Sequence, residues 1–363
     1  MTVHFPVFLM NHVAILRPQH WPRGIIVNWY ITSTGGKISK SKGGALPIPD
    51  AAERFGVDAM RLFYAHISSL YVDVAWEDEK VEGYRDRLGR IWGFSEELMS
   101  IDGSVESDID SWLHARLQTR LANLHSYMAE YDMRSYSNDV YFEIPQDLRW
   151  YVKRGGNNKG SVRKALETWI ALMTPVTPHL AEELWERLGK SPFVSLAQLP
   201  EGHVDESVLA EEAKEKLLGN LMADVAEILK VTEIKAKKIV LMTSPAWKHD
   251  LMLAALAQQQ TKFDMSALIR TALQATASAE AKKAIPAFAK EIVAELPKLS
   301  SDDRRMLSVK VDELAVLTAA RAFLQGQFGC EVSVFSAENP AREDPKGKAK
   351  FARPGRPAIY IVS

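Results

Sequence analysis

From about residue 81 to residue 200, apolar side chains recur at helical spacing with no long alternating stretch between them. Ile109, Trp112, Leu113, Leu117, Leu121, Leu124 and Met128 follow an i, i+3, i+4 rhythm, which places them on one face of a helix. Asp108 or Asp110 can cap it. A second helix is expected over roughly Ser137 to Arg154, ending at Gly155-Gly156-Asn157-Asn158, with Pro145 as a candidate break inside it. Helices at about 161–173 and 178–189 flank Thr174-Pro175-Val176-Thr177-Pro178, and Gly189 can close the last one. Amphipathic helices in series, with no strand between them, bury their faces most simply as an antiparallel bundle.

Strand-like segments lie on either side. Phe5, Phe8, Leu9, His12 and Val13 recur at helical spacing before Arg17-Pro18 and Trp21-Pro22 break the chain. Ile25 to Thr32 is β-rich and is expected as a buried strand. Such a strand needs neighbours, and the sequence before it is too short to supply them, so residues 1–35 read as the end of an α/β unit. Beyond the bundle, residues 200–215 are polar and acidic and read as a linker. Ile239 to Met242, Glu331 to Phe335 and Ala358 to Val362 are strand candidates. Helices are expected at about 245–259, 263–275, 277–296 (with Pro286 as an interruption) and Val311 to Gly326. That order fits a small α+β domain over 236–363, after a linker and helix at 201–235.

Composition narrows the function classes. Hydrophobic content is 47% and charged content 25% of 363 residues, ordinary for a globular chain long enough for two or three domains. The net charge is -1, so any nucleic-acid surface must be a local patch. Cys330 is the sole cysteine, which excludes an intrachain disulfide and a multi-cysteine zinc site. The nine histidines show no metal-type spacing. No apolar run reaches the ~18 to 20 residues of a membrane span. No basic region precedes an apolar core at the N-terminus, so a cytoplasmic location is expected.

The chemistry-bearing run is Lys37-Ile38-Ser39-Lys40-Ser41-Lys42-Gly43-Gly44, just after the apolar segment. Ammonium groups supply point charges, hydroxyls donate hydrogen bonds, and glycines let backbone approach a polyphosphate closely. It lacks the spacing of a P-loop. The next segment reads as ordered: Asp50 can cap a short helix that Gly56 ends, and Asp58 can cap another.

The run resembles the KMSKS signature of class I aminoacyl-tRNA synthetases, with Ile38 in the Met place. Asn11 to Leu16, His20 to Trp29, Asp147 to Tyr151 and Met173 to Trp185 resemble leucyl-tRNA synthetases of the archaeal and eukaryotic cytosolic type. The resemblance covers nearly the whole chain, closest over 5–200. It implies a multidomain, mainly α protein. Residues 1–35 would end a Rossmann-type catalytic domain, and 36–80 would hold the signature loop and stem-contact segment. Residues 81–200 would be an anticodon-binding-type bundle, and 236–363 a C-terminal α+β domain for tRNA recognition. Lys37 and Lys40 take the places of the signature lysines, as the catalytic and ATP-binding pair, and Ser39 and Ser41 those of the ATP-binding serines. Gly44 replaces the usual Asn.

The implied reaction joins leucine to leucine tRNA at the expense of ATP with Mg2+, with no bound prosthetic group and no metal held by the chain. The family's HIGH signature is missing, since no histidine here begins a His-x-Gly-His run. The editing insertion is missing too. The chain therefore resembles a C-terminal half, with a separate N-terminal half as an expected partner and no activity expected alone. A non-catalytic tRNA-binding module, or a portion of an isoleucine or valine enzyme, is the alternative.

Two basic patches are candidate tRNA contacts. Arg149, Lys153 and Arg154 share one helix with Trp150 and Tyr151, a mixture suited to RNA backbone and base stacking. Lys346, Lys348, Lys350, Arg353 and Arg356 have no acid between them and read as a flexible basic arm before the last strand.

Overall fold

The computed structural model describes residues 4–27, 31–33, 36–37, 46–67, 73–258, 263–276 and 278–363. The chain begins with α1 (His4–Ile15), β1 (Ile31–Ser33), β2 (Gly36–Lys37), α2 (Ile48–Phe55), α3 (Val57–Ile67), β3 (Val74–Ala75) and α4 (Asp78–Met99). Next come α5 (Asp108–Ala129), α6 (Met133–Asn138), a π-helical segment (Asp139–Glu143), α7 (Ile144–Lys153), α8 (Lys159–Met173), α9 (Pro178–Arg187) and α10 (Glu206–Thr232). The last part holds β4 (Lys238–Thr243), α11 (Ala246–Gln258), α12 (Met265–Ala275), α13 (Ala279–Glu295), α14 (Ser301–Leu307), α15 (Glu313–Ala319), α16 (Arg321–Phe328), β5 (Glu331–Ser336) and β6 (Ala358–Val362). These elements form two compact units: Met1–Leu98 with Tyr127–Glu143 and Trp169–Gln198, and Met99–Ser126 with Ile144–Thr168 and Leu199–Ser363.

In the first unit, β1 pairs antiparallel with β2 and parallel with β3. Of the strand expected over Ile25 to Thr32, Ile31 and Thr32 lie in β1 and 28–30 lie outside the described residues; residues 22–27 are irregular, and Ile26 and Val27 are exposed. A strand exists only where another pairs with it, and no strand among the described residues pairs with 22–27. Helix α1 forms where expected, yet none of its residues is buried.

The capping assignments shift. Pro47, not Asp50, occupies the N-cap of α2, and Gly56 closes that helix with φ +85°. Asp58 lies inside the first turn of α3, and its carboxylate serves a different helix. It accepts from the backbone N–H of Leu180 at 2.8 Å and meets His179 Nδ1 at 2.8 Å, satisfying an orphan donor in the first turn of α9. Arg61 donates to the carbonyls of Pro175 and Val176, which fixes the turn before α9. Phe55, Phe63 and Val81 form an aromatic-rich core with Trp76 and Tyr84.

Pro145 does not break its helix. It sits in the first turn of α7, and the irregularity precedes it as the π-helical segment. Proline cannot donate to the carbonyl four residues back, that of Tyr141. That oxygen accepts from Arg87 instead, at 3.3 Å. The Val140 carbonyl, one residue earlier, accepts from the indole N–H of the buried Trp169 at 2.7 Å.

In the second unit, the acidic stretch expected as a linker is helical from Glu206, with Asp205 as N-cap. Its buried Glu212 is bound, as is Asp147 of α7. Glu212, 3% exposed, accepts from Arg116 and Thr119, while Asp147 accepts from Arg116 and Arg120. Buried charges persist only when paired, and these pairings join α5, α7 and α10.

The C-terminal sheet has order β5-β4-β6, with β5 parallel and β6 antiparallel to β4. Ile239, Val240, Leu241 and Met242 are all fully buried, as a central strand covered on both faces requires. One face packs on Leu217, Leu218, Leu221 and Val225 of α10 and on Leu317 and Leu324. On the other, Val240, Met242 and Ala358 pack on Ala349 and Ala352. Pro286 lies inside a continuous α13, which is held by its buried face of Ile285, Phe288, Ala289 and Ile292. The helix expected over Val311 to Gly326 is two helices, α15 capped by Asp312 and then α16 ending at Gly329 with φ +65°.

Candidate tRNA and ATP interface

The signature run begins at Lys37, the last residue of β2, which pairs with β1. Thr32 pairs with Lys37 and Ser33 with Gly36, so the pairing with β1 sets the backbone of Lys37. The Thr32 carbonyl also accepts from Trp76 N–H at 2.7 Å, tying β1 to the segment entering α4. Ser39, Lys40 and Ser41 lie outside the described residues.

Along α7 and the residue after it, the three expected contacts part company. Arg149 and Lys153 are exposed. Arg154 is held: its guanidinium donates to both Glu215 oxygens, at 2.8 and 3.0 Å, and lies 4.5 Å over the Phe323 ring. Trp150 donates to the same Glu215 at 2.8 Å. With Glu215 8% exposed, Arg154 neutralises a buried carboxylate. Tyr151 is buried and donates to Asp110 at 2.7 Å. Burial pushes the Asp110 carboxyl up, but hydrogen bonds from Tyr151, Ser161 and Ser107 outweigh it and hold the group below the ordinary carboxylate value.

The basic arm is folded into hydrogen-bonded turns. Gly347 takes φ +63° and leads into a 3-10 turn over Lys348–Phe351. The Asp344 carboxylate accepts from the backbone N–H groups of Lys348 and Ala349, at 2.6 and 2.9 Å. Arg353 and Arg356 exchange backbone hydrogen bonds. Arg353 also pairs with Glu291 at 2.8 Å and with Glu295, so it belongs to the protein's own ion pairs. Lys346, Lys348, Lys350 and Arg356 are exposed. Among the described residues, none of these four has a carboxylate partner within ion-pair distance.

Sequence reasoning missed Lys248. It is 7% exposed, and its ammonium donates to the carbonyls of Lys350 and Ala352 at 2.9 and 2.6 Å. Burial and the nearby Arg353 push its pKa down, against the pull of Glu291. Glu313 was also missed; it is 4% exposed and accepts from the N–H groups of Ser244 and Gly355. Neither residue stands in a motif, and no helical or strand period marks it.

Among the described residues no group of three or more His, Cys, Asp or Glu side chains could hold a metal ion. No helix of these residues is long and apolar enough to cross a membrane.

Residues 1–84 match the family described as tRNA synthetases class I (M), and residues 110–246 match the anticodon-binding domain of tRNA ligase. The leucine–tRNA ligase of Methanococcoides burtonii is 34% identical over 99% of this chain and 38% of its own length. That of Methanothrix thermoacetophila is 35% identical over 99% of this chain and 37% of its own. That of Methanocaldococcus jannaschii is 34% identical, again over 99% of this chain and 36% of its own. The chain thus spans between 36% and 38% of the length of these curated relatives. A solved ternary complex, Agrobacterium radiobacter K84 agnB2 LeuRS-tRNA-LeuAMS, is 20% identical over 48% of this chain and 24% of its own, with a TM-score of 0.41, too slight a likeness to build on. The signature run in the sequence and these matches agree: over 99% of its length the chain is similar to leucine–tRNA ligases, with a class I tRNA synthetase stretch followed by an anticodon-binding stretch.

Proposed function

We propose that this chain supplies the signature loop and the tRNA-binding surfaces for ATP-dependent formation of leucyl-tRNA, acting in the cytoplasm with a further polypeptide segment that carries the rest of the nucleotide fold. The observation that carries the reading is the match of 99% of the chain to leucine–tRNA ligases.

The residues have distinct roles in this reading. Leucine carboxylate attacks the α-phosphate of ATP, and pyrophosphate leaves. Negative charge grows on the departing oxygens. Lys37 and Lys40 meet that charge, and Ser39 and Ser41 donate hydrogen bonds to the phosphates. A cation that binds the transition state better than the ground state lowers the barrier. Mg2+ arrives with ATP. Arg149 and Lys153 on α7, and Lys346, Lys348, Lys350 and Arg356 on the arm, contact the phosphates of leucine tRNA. Arg154 and Arg353 act indirectly, by holding the surfaces that carry the other cations. By division of labour, 1–80 serves activation, 81–200 the anticodon side, and 236–363 tRNA recognition.

Helix α1 supports the need for a further segment. Val7, Met10, Val13 and Ile15 are between 47% and 80% exposed, an apolar face that the described residues leave uncovered. Titration of the purified chain with leucine tRNA and with a non-cognate tRNA tests the binding half of the proposal. Tighter binding of leucine tRNA is expected; equal, weak binding of both contradicts it.

A further inference from the structure

The arm presents an exposed aromatic ring, Phe351. In the turn Lys348–Phe351 and the residue after it, Ala349 and Ala352 are 5% and 0% exposed and seat against Val240, Met242 and Ala358. Residues three apart eclipse in a 3-10 turn, so burying this alanine pair turns the positions between them outward. Lys348, Lys350 and Phe351 are accordingly exposed, Phe351 by 62%. The Lys350 ammonium lies 5.0 Å from the Phe351 ring centroid. The backbone beneath is fixed by Lys248 on the carbonyls of Lys350 and Ala352, and by Asp344 on the N–H groups of Lys348 and Ala349.

The acids nearby are engaged. Glu291 and Glu295 hold Arg353, Glu343 holds Lys238, and Asp344 serves the turn's own backbone. An exposed aromatic ring on a fixed backbone, among cations without carboxylate partners, is the chemistry that holds a nucleic-acid strand with an unstacked base. Cations alone would suit any phosphate backbone; the ring adds a preference for a base that is free to stack.

We infer that Phe351 stacks on an unpaired base of the bound RNA, so that the arm reads single-stranded nucleotides and not duplex backbone alone. The inference rests on the proposed role of the arm as an RNA contact, and it assigns Phe351 the part that selects where on the RNA the arm sits. The ring is the only large apolar group of the turn, and its removal takes away no charge and no core contact.

The test compares the wild-type chain with Phe351→Ala, Phe351→Trp and a variant with Lys346, Lys348, Lys350 and Arg356 all changed to Gln. The probes are a leucine tRNA transcript and a blunt, fully paired RNA duplex, each titrated across a salt series. Phe351→Ala should bind the transcript about tenfold more weakly, within the range of base–aromatic stacking, while Phe351→Trp restores affinity. Its salt slope should equal that of the wild type, and duplex binding should be unchanged. Wild-type affinity of Phe351→Ala for the transcript, or an equal loss on the duplex, overturns the inference and leaves the arm's role intact if the four-fold Gln variant still shows a flatter slope. An unchanged slope in that Gln variant overturns the role of the arm, and the inference with it.

Discussion

The buried ammonium of Lys248 lies 2.9 Å from the Lys350 carbonyl and 2.6 Å from that of Ala352, and so fastens the basic arm to α11. Replacing it with an apolar side chain leaves both carbonyls without this donor. Lys248→Met should therefore lower stability by about 2 kcal/mol, with new protease cleavage confined to residues 346–356. Thermal unfolding and limited proteolysis check this; an arm as resistant as the wild type's would mean that Asp344, Glu313 and the Arg353 ion pairs suffice to fix it.

Arg154 and Lys153 are neighbours in sequence with opposite expected phenotypes. Arg154→Met leaves Glu215 buried without its guanidinium and should cost about 3 kcal/mol of stability. Lys153→Gln should leave the melting temperature unchanged and weaken tRNA binding, with a salt slope reduced by about one unit or less. Melting curves beside binding isotherms separate the two.

The carboxyl of Asp110 is held below its ordinary value in the folded protein. Between that lowered value and the unfolded one near 3.8, the unfolded chain binds more protons, so stability rises with pH there. The contribution is complete above that window and is lost as pH falls through the folded value. Asp110→Asn should thus destabilise the protein by about 1 to 2 kcal/mol at neutral pH, with the gap closing in acid. Urea unfolding at several pH values measures it.

Lys40 is expected to act on the transition state. In the complete enzyme, Lys40→Ala should cut leucine-dependent ATP–pyrophosphate exchange by about a hundredfold to a thousandfold, the usual cost of one such contact. Near-normal exchange would remove Lys40 from catalysis.

Gly156 follows the turn that ends α7, and a Cβ there would lie 2.4 Å from two atoms of the buried Tyr151 ring. Gly156→Ala should displace that ring and weaken its bond to Asp110. A loss of about 1 to 3 kcal/mol is expected from the overpacking, read by denaturant titration.

Much of this architecture is legible in the sequence because helical periods and capping residues are local. The helix Asp108–Ala129, the strands at Ile239, Val332 and Ile359 and the close at Gly189 all follow from short windows. The expectations that failed depend on distant partners. The segment Ile25 to Val27 has strand composition and no pairing partner among the described residues. Glu212 and Glu215 look like surface acids until Arg116 and Arg154, far away in the chain, are seen to bind them. Asp58 looks like a cap for its own helix, and its acceptor role lies with Leu180. The same holds for the candidate site. Basic residues could be picked out from composition, but Arg154 and Arg353 could be set apart from the others only once their carboxylates were placed.

Leucylation of leucine tRNA tests the account most directly. The purified chain is assayed with ATP, Mg2+ and leucine, alone and then together with the N-terminal portion of a leucine–tRNA ligase. Leucyl-tRNA formed only by the combination, and lost again with Lys40→Ala, is the predicted result. Leucyl-tRNA formed by the chain alone would contradict the account, because the 363 residues would then hold a complete activating site without a His-x-Gly-His run.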